Sequence, residues 1–473
     1  MQLPPLSLVH DAGKWWRFRE GVGWREQTDD EVKNEVWKFT WNVVSANVAT
    51  GTPESVTDYL VKDVLGCVKA VLSIQRQDVD AMDATVFLRF SEGDLSVEAA
   101  DGYVATQTHH IHVPTVAVAM CRGEEIPESA IRPADSTLFT PGIIPCEFDP
   151  QATCPRWLEF VEKSCPHDAE MLQKMFGLAL TFNRGYNVFF TIFGEAGTGK
   201  STALDVLATL CTGTTCAISL SDFAKTFRTY NLTVKKLNLV QDMSSVFEGD
   251  RYVSEREGLL KSCTAGEVKE VELKYVNPCS RRFRSLLVFG TNSLPRFADR
   301  SNAIKDRMRV ISFPVVSRGT EWQDIHLAAR LREELPGILN WSLRGYGELL
   351  ESGAAKFPET EYSSALKCDA IKDSRPEELF CDEFLEKTGD ANMFLPTMQV
   401  YKEFEQYCIQ RRLHVPSAKR VIPEILRYRQ VEKGRKSLNG ATPMCFLGIR
   451  FKNDEPLPSG RSPVPALPPV GGW

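Results

Sequence analysis

The sequence of 473 residues is short of several things that would have narrowed its function early. Its longest apolar stretches, such as Val113 to Cys121, fall far below the roughly 20 residues that a membrane-spanning helix needs. No membrane partner is expected. The N-terminal residues MQLPPLSLVHDAGKWW lack a basic region leading into an apolar core, so they do not read as a secretion signal. Thirteen cysteines occur without one Cys-x-x-Cys pair, and an odd count without framework spacing predicts reduced thiols in a cytoplasmic compartment. Cys146, Cys154, Cys165 and His167 fit no standard zinc spacing and read as core or surface groups. The net charge of −6 gives no general reason to expect nucleic acid. Its distribution does. Residues 391–452 hold twelve Lys or Arg against four Glu, a local charge of +8, which leaves −14 on the remainder. A basic module on an acidic body is an electrostatic footprint for a polyanion.

What is present is a phosphate-binding pattern. FFTIFGEAGTGKST, Phe189 to Thr202, contains Gly194, four residues, Gly199, Lys200 and Ser201. The residues before it, Asn187 to Phe193, are aromatic and β-branched and predict a buried strand. Ser201 to Leu210 predicts a helix with Leu204, Leu207 and Ala208 on one face. Strand, glycine loop and helix together aim backbone N–H groups and a helix N-terminus at phosphates. The expected nucleotide-binding set is Gly194, Glu195, Ala196, Gly197, Thr198, Gly199, Lys200, Ser201 and Thr202. Lys200 is expected on the β- and γ-phosphates of ATP, and Ser201 on Mg²⁺.

Three further apolar strands each carry a polar residue at or beside an end. KLNLVQD ends in Asp242, SLLVFGTN ends in Asn292, and MRVISF follows Asp306 and Arg307. C-terminal strand ends are where open α/β sheets bind ligands. Asp242 is expected to hold the Mg²⁺ shell or polarise water. One such strand is a weak signal; the ordered set within about 110 residues of Lys200 is a strong one.

In that order the motifs resemble the superfamily 3 helicases of the AAA+ class, and more closely their phage and plasmid primase–helicase branch with its poxvirus relatives. EFDPQATCPRWLEFVEKSC at Glu147–Cys165 looks like that branch's entry segment, and ELPGILNWSLRGYGELL at Glu334–Leu350 like its exit segment. The similarity runs over roughly Gly13 to Lys452, with its specific part at Glu147 to Leu350. It implies a homo-oligomeric ring, most simply a hexamer, that hydrolyses ATP and translocates on single-stranded or forked DNA during replication of a phage, plasmid or other mobile element in a host cytoplasm. It implies catalytic roles for Asp242, Asn292 and Arg307, the last as an arginine finger for the neighbouring subunit, with Arg309 as the alternative. It also implies a pore hairpin whose basic tip grips DNA, for which Lys269 and Lys274 are the candidates. A separate primase or origin-binding protein is an implied partner. The chain departs from many AAA+ proteins at Gln241, where a second acid is common, so Asp242 must serve alone. Two rival readings are a nucleotide-gated switch that binds DNA without unwinding it and a small-molecule kinase. The kinase explains neither the Asn292 strand nor the basic module. Asp78-Val79-Asp80 mimics a primase metal motif, with His109, His110 and His112 downstream, but no apolar strand flanks the acids and a solvated loop is the better reading. No polymerising domain is expected.

The expected fold is α/β. Its AAA+ P-loop motor core at 186–350 follows an N-terminal α+β accessory domain at 1–145 and a helical collar segment at 146–185. A helical connector at 351–390 and a winged helix at 391–452 follow, then a Pro-rich tail at 453–473, extended or disordered. Within the motor, Ser254 to Glu257 reads as a capping box opening a helix that runs towards Thr264, and Asn277-Pro278 reads as the hairpin turn. The winged helix follows from predicted helices at Pro396–Arg411 and Ser417–Tyr428 and a hairpin across Leu438-Asn439-Gly440-Ala441. Lys419, Arg420 and Arg435 are its foremost candidates for DNA phosphates, beside Arg427, Arg429, Lys433 and Lys436.

Overall fold

A computed structural model describes residues 8–37 apart from 12–13 and 20–22, and short stretches between 61 and 99. It also describes residues 102–452 apart from 135–137, 141, 183–184, 225–227, 244–252, 274–275, 296, 298–301, 321–323, 325, 374, 391, 412, 414 and 439. Asp78, Asp80, Lys274 and the tail 453–473 lie outside the described residues. The chain divides into two compact units, Met1–Lys367 and Cys368–Trp473. Among the described residues no helix is long and apolar enough to cross a membrane.

The first unit opens with an antiparallel sheet of β1 (Leu8–Asp11), β2 (Lys14–Arg19) and β3 (Gly23–Gln27), which buries Trp15 against Val32, Val36 and Val61. Its strands carry the aromatic residues Trp15, Trp16, Phe18 and Trp24. A second small sheet, which includes β4 (Tyr103–Ala105) and β5 (His109–His112), leads into α1 (Val113–Arg122). His110 is buried within β5.

The centre is a five-stranded parallel sheet built from β6 (Phe189–Phe193), β7 (Thr215–Cys216), β8 (Leu237–Val240), β9 (Leu286–Thr291) and β10 (Met308–Ser312). Its spatial order is β7-β8-β9-β6-β10. Phe190 pairs with both Val288 and Arg309, so β6 is an interior strand. Every residue of β9 and β10 is buried, as expected where helices cover both faces of a parallel sheet. Alternation divides the strands between two cores. Phe190, Ile192, Val288 and Ile311 face one apolar cluster, whereas Phe189, Phe289 and Val310 face another.

The first cluster takes in α2 (Pro155–Ser164), α3 (Ala169–Ala179) and α4 (Leu335–Ser352). Trp157, Phe176 and Trp341 meet there with ring centroids 5.3–5.4 Å apart. It also includes Val104, Ile111, Val113, Val116 and Ala117. The boundary expected at residue 145 therefore falls inside one continuous core. The physical reason is the close packing of α4 on α1: a Cβ added at Gly347 would lie 2.2 Å from the Ala117 carbonyl oxygen. Asp168 stands at the N-cap of α3, but its carboxylate makes no cap bond. It accepts from Ser312 N at 2.8 Å and from Ser363 Oγ at 2.8 Å, fixing the end of β10.

The second cluster holds α5 (Val253–Thr264) and a two-stranded ribbon, β11 (Val268–Leu273) with β12 (Val276–Arg282). Helix α5 begins at Val253, one residue before the predicted capping box. The ribbon's turn also differs from expectation. Leu273 pairs with Val276, and Asn277-Pro278 lie within β12. A two-stranded ribbon has only edge strands, which tolerate proline.

In the second unit, α6 (Pro376–Phe384), α7 (Thr397–Gln410) and α8 (Ala418–Arg429) enclose Phe380, Phe404, Tyr407, Val421 and Ile425. Strands β13 (Phe394–Pro396), β14 (Met444–Leu447) and β15 (Lys433–Arg435) form a sheet in the order β13-β14-β15. The two predicted helices and the hairpin are here, with Gly440 at φ 78° and a bridge between Leu438 and Ala441. Pro423 sits inside α8 without ending it. Helix α6 falls in the helical connector expected at 351–390, and its Phe380 and Cys381 are buried in this unit's core.

Candidate functional site

At the C-terminal end of β6 the chain turns through the glycine loop into the helix Lys200–Leu210. Gly197 and Gly199 have φ of +85° and +91°, a backbone region closed to most side chains. Beneath Gly199 lies Phe160, whose ring an added Cβ would meet at 2.8 Å. The loop borders a cleft of about 760 Å³ lined by Ala196 to Thr202, Gln241, Asp242 and Asn292. Residues separated by nearly a hundred positions converge because β6, β8 and β9 are parallel and end on the same side.

Lys200 is only 8% exposed. Its Nζ donates to the Gly194 carbonyl at 2.5 Å, the Glu195 carbonyl at 2.6 Å and Asn292 Oδ1 at 3.0 Å. Burial pushes its pKa down, and the nearby charges of Asp242 and Glu195 oppose that shift. A desolvated ammonium held by neutral oxygens gains strongly from an incoming anion. Thr198 is turned inward, its hydroxyl donating to the Glu195 carbonyl at 2.9 Å. Ser201 and Asp242 are exposed on the same cleft, a hydroxyl and a carboxylate of the type that a hard divalent cation takes. Gln241 has a role that its sequence position does not reveal. Its Nε2 donates to Asp205 Oδ1 at 2.6 Å, which ties the end of β8 to the helix after the glycine loop.

Arg307 ends a short helix, Ala303–Arg307, and does not line this cleft. One guanidinium nitrogen donates to the Ala303 carbonyl at 2.9 Å, while its Nε is buried without a partner among the described residues. Arg309, the alternative finger, is instead a buried structural residue. It is 5% exposed and donates to the carbonyls of Phe357 at 3.1 Å, Asp306 at 2.8 Å and Met308 at 3.1 Å. Its cation is consumed by the chain's own backbone, and burial lowers its pKa. Lys269 is exposed on β11, paired in register with Arg281.

Sequence reasoning missed the cleft's other wall. Arg156, Glu159 and Lys163 of α2 line it, as do Arg318, Asp324 and Arg330 from beyond β10. Arg156 pairs with Glu333 at 3.4 Å and Arg330 with Asp324 at 3.0 Å. No motif marks these positions, because they come from two chain segments that only the fold brings together.

In the second unit, structure sorts the basic residues. Arg411 pairs with Glu383 at 2.7 Å, Arg427 with Glu424 at 2.9 Å, Arg429 with Asp382 at 3.1 Å, and Arg450 with Glu386 at 2.7 Å. Three of those acids come from α6 and the strand following it. Residues 368–390 hold eight acids and three bases, so 368–452 has a net charge of only +8 − 5 = +3. Lys419, Arg420, Lys433 and Arg435 are exposed and have no ion-pair partner among the described residues. Among the described residues, the set of unpaired surface cations is therefore smaller than the basic count suggests.

Comparison with known proteins returns one family match, described as a family of unknown function (DUF5906), over residues 192–308. That span runs from β6 to the first residue of β10 and includes Lys200, Asp242, Asn292 and Arg307. No curated protein matches. Similar solved structures include two apo structures of the NrS-1 C-terminal region at 11% and 12% identity, each with a TM-score of 0.47. They cover 93% of this chain and 96% and 95% of theirs.

Proposed function

We propose that the chain is a ring-forming, ATP-dependent DNA helicase of superfamily 3 type that serves replication of a phage, plasmid or other mobile element. The observation that carries the reading is the convergence of Lys200, Asp242 and Asn292 on one cleft, from three adjacent parallel strands, with Arg307 outside it. Numbered by position in the motor, the strand order is 2-3-4-1-5, the order of an AAA+ core, which supports the fold half of the resemblance. The residues present fit ATP and Mg²⁺. The backbone N–H groups of the glycine loop and Lys200 would hold the phosphates; Ser201 and Asp242 would hold the metal, which neutralises charge developing on the phosphates. In this account Asn292 orients Lys200 and the phosphate end, and Asp242 accepts a proton from, or orients, the attacking water.

Arg307 would reach the cleft of the next subunit, which suits a guanidinium able to bond two phosphate oxygens at once. Lys269 and Lys274 would grip one DNA strand in the ring's pore. Lys419, Arg420 and Arg435 would meet duplex phosphates, and the three-helix core with its hairpin supports the winged-helix reading of that unit. A nucleotide-gated DNA-binding switch is the second reading. It is favoured by Gln241, which is bound to Asp205 and offers no second acid. ATP hydrolysis by the wild-type chain, Lys200→Ala and Asp242→Asn tests the chemistry. Wild-type turnover that both substitutions abolish is expected, and undiminished turnover in Asp242→Asn would overturn the assignment of that carboxylate.

A further inference from the structure

The loop after β10 carries a cation that belongs to none of the sequence motifs. Ser317 donates to the Gly197 carbonyl through its backbone N at 3.0 Å and through its hydroxyl at 3.0 Å. Arg318 N adds a third donor to the same oxygen at 3.3 Å. Three donors on one carbonyl clasp residues 317 and 318 to the glycine loop. The Arg318 side chain then lies across Gly197: an added Cβ there would stand 2.7 Å from Arg318 Cβ and 3.2 Å from its Nε. Arg318 is exposed to the cleft that it lines, and it has no ion-pair partner among the described residues. The cleft's other two arginines, Arg156 and Arg330, are paired with Glu333 and Asp324. An unpaired guanidinium whose own backbone is clasped to a phosphate-binding loop is placed for charge-assisted bonds to an anion in that loop.

We propose that Arg318 contacts the terminal phosphates of a nucleotide bound by its own subunit. The inference rests on reading the cleft as a nucleotide site. The clasp also ties the glycine loop to residues 317 and 318, because Gly197 cannot shift without releasing or carrying Ser317.

Titration of the full chain with fluorescent ATP and ADP analogues tests the contact. Arg318→Ala is expected to weaken binding by about ten-fold to a hundred-fold, the range for one charge-assisted bond. Arg318→Lys should recover part of the loss, as a point charge lacks the planar fork. Weakening of both nucleotides assigns the β-phosphate, and weakening of ATP alone assigns the γ-phosphate. The affinity of Arg318→Ala should also depend less steeply on salt, which a merely packing role would not produce. If Arg318→Ala does not fold, Arg318→Gln keeps the stem and takes its place. Wild-type affinity in these variants, beside lost binding in Lys200→Ala, overturns this inference and leaves the nucleotide site standing. No binding by the wild-type chain overturns both.

Discussion

Arg307→Ala tests the idea that each nucleotide cleft is completed by a neighbour. Arg307 does not line its own chain's cleft, and its Nε is buried without a partner among the described residues. In other phosphoryl-transfer enzymes an arginine finger contributes roughly 10³–10⁵ in turnover. Arg307→Ala and Lys200→Ala should each lose ATP hydrolysis when alone. Mixed one to one in a head-to-tail ring, an interface works only if an Arg307→Ala subunit supplies the P-loop and a Lys200→Ala subunit supplies the arginine. Random assembly makes that about one half times one half, so about a quarter of interfaces should regain activity. Hydrolysis is measured at fixed total protein, with assembly followed by sedimentation and nucleotide binding of the Arg307 variant checked separately. A mixture with no more activity than its parts, although both variants assemble and the Arg307 variant binds ATP, would refute action across the interface.

Four further outcomes are expected. Arg309→Ala should reduce stability to urea by about 2 kcal/mol or more, because it leaves three carbonyls near the core short of a donor, whereas a role as finger would leave stability unchanged. Lys269→Ala with Lys274→Ala should preserve basal ATP hydrolysis and remove its stimulation by single-stranded DNA; retained stimulation would move the grip elsewhere, with Arg281 and Arg282 next in line. Replacing Lys419, Arg420 and Arg435 together should flatten the salt dependence of duplex binding by about 2.7 in the log–log slope, at about 0.9 per phosphate contact. Arg429→Ala should leave that slope unchanged and lower stability instead, since its guanidinium bonds Asp382 at 3.1 Å.

The glycine loop and its flanking strand and helix were legible in the sequence because their signals are local: aromatic and β-branched residues before the loop, glycines at fixed spacing, and apolar residues at helical spacing after it. Asp242 and Asn292 were legible because parallel strands with both faces covered read as short apolar runs with a polar end. The cleft's outer wall was not legible, because Arg156, Lys163 and Arg318 sit in ordinary local contexts and meet only through packing. The expected boundary at 145 failed for a similar reason. Nothing near residue 145 reveals that α1 docks on α4, some 230 positions away, through Gly347 and Ala117. In the second unit, composition overstated the basic face. The acids that neutralise Arg411 and Arg429 lie in α6, ahead of the segment whose charge was counted.

If hydrolysis in this cleft drives separation of DNA strands, strand displacement on a forked duplex will report it. With ATP and Mg²⁺ the wild-type chain should release the labelled strand, and Lys200→Ala should bind the fork without releasing it. ATP hydrolysis and fork binding with no strand released, at any protein concentration that saturates the DNA, would contradict the helicase reading and favour the switch.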